Sequence, residues 1–258
     1  KILSNWKNNV FDAVYWLEGE ESFYIDQLVQ YAEHKLLPEA DQAFNLTIFY
    51  GKDADWAEVV NACKRYPVFA EKQVVILKEA QHMKEIDKLE GYFENPLAST
   101  IFIVGYKGKG YDKRTKLYKI IKQHAEILVS EKLKDYKVGE WIKEFVTSKG
   151  FTISQKAVVL LEEHIGNDLN RIVNELEKLS LNLKGKKNIS EDDIENYVGI
   201  SKEYNVFELQ SAIAKKDLAK ALTIIQYFDA NPTRVCLEDV KLNVNYVIIL
   251  NTNAGLWG

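Results

Sequence analysis

Up to Lys134, two kinds of segment alternate along the chain. Short uninterrupted apolar runs occur at Ala13–Leu17 (AVYWL), Leu46–Tyr50 (LTIFY), Val74–Leu77 (VVIL), Ile101–Val104 (IFIV) and Ile127–Val129 (ILV). They are rich in β-branched and aromatic residues and lack polar alternation, the pattern of strands covered on both faces. Between them, apolar residues recur at helical spacing. Ser22–Leu37 carries Phe23, Ile25, Leu28, Val29, Ala32 and Leu36, and Ala54–Lys64 carries Trp56, Val59, Val60 and Cys63. Met83–Phe93 and Lys113–His124 repeat the pattern. Such alternation predicts right-handed crossovers and a parallel sheet between two helical layers.

After Lys134 the pattern changes, and to about Ile200 it is helical throughout. Trp141, Ile142, Phe145 and Val146 form one stripe, stopped at Gly150. Ser154 is placed to cap a second helix, and Asp168–Leu183 reads as a third. A basic turn, Lys184-Gly-Lys-Lys187, then leads to Ser190, a cap followed by the carboxylates of Glu191, Asp192 and Asp193. Two further helices are expected from Asn205 onward, joined around Lys215-Lys-Asp217, and Asn243–Leu250 (NVNYVIIL) is strand-like. The expected organisation is an α/β domain over 1–136, a small helical domain over 137–203, and a third, mainly helical segment over 204–258.

With 258 residues, 47% of them apolar, the chain can bury a sizeable core. A formal net charge of −4 gives no global signal for nucleic acid, so any such contact must be local. Cys63 and Cys236 lie far apart, which fits a reducing, cytoplasmic setting. The start does not read as a signal peptide, and no apolar run approaches the roughly 18 residues that a membrane helix needs. The four histidines are scattered without zinc-ligand spacing, so no metal is expected.

An α/β domain followed by a small helical domain resembles the outline of an AAA+ ATPase. Such an enzyme needs a glycine-rich, lysine-bearing phosphate loop after its first strand. Here that strand runs into Glu18-Gly-Glu-Glu-Ser-Phe23: one glycine, no lysine, and three carboxylates (Glu18, Glu20, Glu21) that would repel phosphate. After the third strand, Lys78 stands where a magnesium-binding aspartate is expected. No other catalytic motif is present, so no cofactor and no intrinsic activity are expected.

Several stretches together resemble the delta-subunit family of the bacterial DNA polymerase III clamp loader. They are Val14-Tyr-Trp-Leu-Glu-Gly-Glu-Glu-Ser-Phe-Tyr-Ile-Asp26, Asn45–Tyr50 with Pro67–Lys78, Asp112–Lys119, Gly166–Leu179 and Asn205–Leu209. The resemblance implies an AAA+-like three-layer domain without a P-loop, then a helical lid and the start of a C-terminal helical collar. After residue 232 the collar resemblance ceases, so the end reads as truncated or atypical. The resemblance further implies a protein that binds and opens the ring-shaped sliding clamp (the beta subunit). Its other partners would be the sister loader subunits (tau/gamma and delta prime) and, in the assembled complex, DNA. The family carries an apolar pair that inserts into a pocket on the clamp, and Val68 and Phe69 match it. Composition alone favours the opposite expectation for this pair, packing back onto the domain's own core.

Two other readings stay open. One is a divergent nucleotide-binding ATPase. The other is a stand-alone DNA-binding module, suggested by the basic stretch Lys107, Lys109, Lys113, Arg114, Lys116, Lys119 and Lys122, which holds one acid, Asp112. A solvated helix face or a contact with a neighbouring subunit would also explain that stretch.

Overall fold

The computed structural model describes residues 1–183, 185–198 and 206–230. It falls into two compact units, Lys1–Lys132 and a second beginning at Leu133. In the first unit five parallel strands, β1 (Val14–Gly19), β2 (Leu46–Tyr50), β3 (Gln73–Lys78), β4 (Thr100–Lys107) and β5 (Glu126–Ser130), form a sheet in the order β2-β3-β4-β1-β5. Each grows from one of the five apolar runs. β1 is buried along its whole length, as expected of a strand sheathed on both faces.

Alternate side chains divide the sheet between two cores. Val14, Trp16, Val75, Leu77, Phe102 and Val104 face one way. They pack with α4 (Trp56–Lys64), α5 (Glu90–Glu94) and α6 (Lys116–His124). Tyr15, Leu17, Val74, Ile76, Ile101 and Ile103 face the other way, against α1 (Ile2–Lys7) and α2 (Ser22–Lys35). This is the three-layer α/β arrangement that the sequence predicts.

The structure corrects three local readings. Met83–Phe93 is not one helix. Glu79 and Glu85 adopt left-handed backbone (φ 52° and 54°), and each opens a short 3-10 turn, Ala80–His82 and Ile86–Leu89, before α5. A helix absent from the sequence reading, α3 (Glu39–Asn45), runs directly into β2. The third correction lies in the second unit. Its helices α7 (Val138–Ser148), α8 (Gln155–Ile165), α9 (Leu169–Asn182) and α10 (Glu191–Val198) are joined by a two-stranded parallel pair, β6 (Thr152–Ile153) with β7 (Asn188–Ile189). Ser154 caps α8 as expected, and Asp168 caps α9. Helices α11 (Val206–Ala214) and α12 (Leu218–Ala230) pack on each other through Leu209, Ala212, Ala221 and Ile224. The strand expected at Asn243–Leu250, Cys236, Lys184, Asn205 and the chain end after 232 lie outside the described residues.

Candidate functional site

The loop between α4 and β3 is short and tightly built. Pro67 disfavours helical backbone in the residue before it, and the chain is already extended at Arg65 (φ −69°, ψ 151°). The stem is closed by Gln73, whose buried Nε2 donates to the Arg65 carbonyl at 2.5 Å and to Thr100 Oγ1 at 2.8 Å. The Thr100 hydroxyl donates in turn to the Cys63 carbonyl at 2.8 Å, satisfying a free acceptor at the end of α4. Lys72 Nζ donates to the Ala98 carbonyl at 2.6 Å. At the tip, Asn45 Nδ2 donates to the Val68 carbonyl at 3.0 Å, and the Val68 N–H donates to Asn45 Oδ1 at 2.6 Å.

On this frame Phe69 has a left-handed backbone (φ 53°), a conformation uncommon for a bulky residue. Its side chain is 102% exposed, with Val68 at 44% and Tyr66 at 76% beside it. The expectation from composition, that this pair packs back into the core, is therefore overturned. The hydrogen bonds that hold the loop serve its backbone and leave the phenyl ring in water. Phe44, next to Asn45, is also exposed. Sequence reading gave no role to Asn45, because α3, the helix that carries it, was not recognised.

The opposite end of the sheet carries the residues expected at a phosphate site. Glu18 is fully buried at the end of β1. Its carboxylate accepts from Trp16 Nε1 (2.9 Å), the Tyr111 N–H (3.0 Å) and the Tyr118 hydroxyl (3.2 Å). Burial first, and the Glu18 charge next, push the Tyr118 hydroxyl up, keeping it a donor. Gly19 follows with φ 136°, and a Cβ there would sit 2.0 Å from the Ser130 carbonyl oxygen, so the β1–β5 approach requires glycine. Glu21 caps α2 by accepting from the Phe23 N–H at 3.1 Å. The helix N-terminus that would receive a phosphate is thus occupied by the chain's own carboxylate. Glu20 is exposed. At the end of β3, Lys78 makes an ion pair with Glu33 of α2 at 2.6 Å and lies 5.6 Å from the centre of the Tyr50 ring. Among the described residues no cluster of three His, Cys, Asp or Glu side chains is placed to hold a metal.

The basic stretch is more neutralised in space than along the sequence. Lys107 pairs with Asp26 (2.7 Å), Arg114 with Asp112 (2.9 Å) and Lys116 with Glu90 (3.1 Å). The Arg114 guanidinium, hydrogen-bonded to Asp112, holds that carboxyl down at about 2. Lys109 and Lys113 are exposed. They line a hollow of about 630 Å³ together with Glu20, Ser130 and Glu131.

A family model described as DNA polymerase III, delta subunit, matches residues 15–131. Two curated relatives are each 24% identical: the Bacillus subtilis DNA polymerase III subunit delta over 86% of this chain and 67% of its own length, and the probable DNA polymerase III subunit delta of Aquifex aeolicus over 93% and 70%. The solved Bacillus subtilis DNA clamp loader delta protein superimposes with a TM-score of 0.64 at 23% identity, covering 89% of this chain and 71% of that one. It shares the fold. The resemblance read from the sequence motifs is thereby borne out.

Proposed function

Since residues 15–131 match the model of the DNA polymerase III delta subunit, we propose that this chain is a clamp-loader subunit that binds the sliding clamp through Val68 and Phe69 and opens it for loading on DNA. The observation that carries this reading is the fully exposed Phe69 on a loop whose stem and tip are hydrogen-bonded. A large aromatic ring held in water on a fixed backbone gains most by entering an apolar pocket, and such anchors dominate binding energy. The chain itself makes or breaks no bond in this reading. The sister subunits (tau/gamma and delta prime) supply ATP hydrolysis, and DNA is met in the assembled complex. The helices over 137–203 are assigned as a lid and those from 204 as the beginning of a collar, in a cytoplasmic replication complex. No helix among the described residues is long and apolar enough to cross a membrane.

The test is a binding titration of the full chain with purified sliding clamp. Phe69→Ala is expected to weaken binding about thirtyfold or more, roughly 2 kcal/mol, and the double change with Val68→Ala to abolish it. Both variants should keep the wild-type circular dichroism spectrum. A folded double variant with wild-type affinity would sink the assignment.

A further inference from the structure

We propose that Asn45 is the positioning residue of the clamp-binding loop, fixing the backbone of Val68 so that Phe69 is presented already in its bound geometry. This rests on the reading of Phe69 as the anchor. Asn45 is only 2% exposed and is the last residue of α3, followed at once by β2. Its amide therefore sits on a fixed mount. A side-chain amide has one acceptor oxygen and one donor nitrogen, and here both are used on a single residue, the N–H and carbonyl of Val68, 23 positions away. The Asn45 amide itself is shielded from water, so on its side these bonds meet little competition. The next residue, Phe69, holds a positive φ that a bulky side chain rarely adopts unaided. A loop free to wander would lose that freedom on docking, and a loop already fixed avoids the loss.

The experiment measures the affinity of the full chain for purified sliding clamp, with Asn45→Ala and Asn45→Asp beside Phe69→Ala. Asn45→Ala is expected to bind about tenfold more weakly, roughly 1.4 kcal/mol, with faster amide exchange at Val68. Asn45→Asp keeps the acceptor but sets a carboxylate oxygen against the Val68 carbonyl, so its loss should be at least as large. A merely structural Asn45 would lower the melting temperature and leave the affinity of the folded protein unchanged. In a Phe69→Leu background the effect of Asn45→Ala should shrink, since the two act as one unit; additive losses would overturn the proposal. If Phe69→Ala binds normally, the anchor reading itself fails. If Phe69→Ala loses binding while both Asn45 variants keep it, only the positioning role fails. Should Asn45→Ala not fold, the same titration with Asn45→Ser, which keeps a small uncharged hydrogen-bonding group, decides.

Discussion

Glu18 and Glu21 place carboxylates at the carboxyl end of β1, where a bound triphosphate would need positive charge. A triphosphate at the end of β1 would need backbone N–H groups and a cation facing it. The Phe23 N–H is already bonded to Glu21, and the Tyr111 N–H to the buried Glu18. Any phosphate would also approach a carboxylate that cannot withdraw, because three donors hold it. We therefore expect calorimetric titration with magnesium ATP to give no saturable heat in the micromolar range; a tight, magnesium-dependent complex would restore the ATPase reading. The charge of this turn was legible in the sequence, but its wiring was not. Tyr111 and Tyr118 lie 93 and 100 positions from Glu18, and nothing local in the sequence pairs residues so far apart.

Elements were legible where their length exceeded their period. Five apolar runs became five strands, and Ser154 caps its helix by accepting a backbone N–H. The failures are short or polar. β6 and β7 have two residues each, too few for any period. α3 (EADQAFN) has no apolar stripe and leaves Phe44 exposed. Pro38 followed by the acids Glu39 and Asp41 was the available signal for its start. At α10 the cap is better than the sequence promised. Asp193 reaches back to accept from the Ser190 N–H (2.8 Å) and hydroxyl (2.7 Å), and Lys186 pairs with it at 2.6 Å. Burial alone would raise this carboxyl, but the bonds from Lys186 and Ser190 outweigh it and hold it below the ordinary range. A depressed folded value means stability that is fully present above the unfolded carboxylate value, about 3.9, and is lost as pH falls through the folded one. Asp193→Asn should therefore loosen α10 by about 1 kcal/mol at pH 7, read as faster amide exchange over Ile194–Val198. The gap from wild type should narrow as pH falls below the ordinary carboxylate range. An undiminished gap in acid would show that charge is not the cause.

Within the α/β unit taken whole, the parallel sheet separates two kinds of surface. Asn45 precedes β2, the Phe69 loop precedes β3 and Ala98 lies just before β4, so all three stand at the amino ends of the strands. Glu18, Lys78 and Lys107 lie at the carboxyl ends, and Lys113, Arg114 and Lys116 follow β4 before α6 turns back. β3 has six residues, which at about 3.3 Å each places the two ends roughly 20 Å apart. That exceeds the Debye length of about 8 Å at physiological salt, so charge at one end is hardly felt at the other. Replacing Lys113, Arg114 and Lys116 together with Ala should leave affinity for the clamp within about twofold of wild type, below roughly 0.4 kcal/mol. In the assembled loader the same variant should weaken DNA association modestly, and the effect should fade as salt rises. Much of the change should come from Lys113, because Arg114 and Lys116 already have carboxylate partners at Asp112 and Glu90. A folded triple variant that no longer binds the clamp would mean that the carboxyl end of the sheet, not the Phe69 loop, is the docking surface.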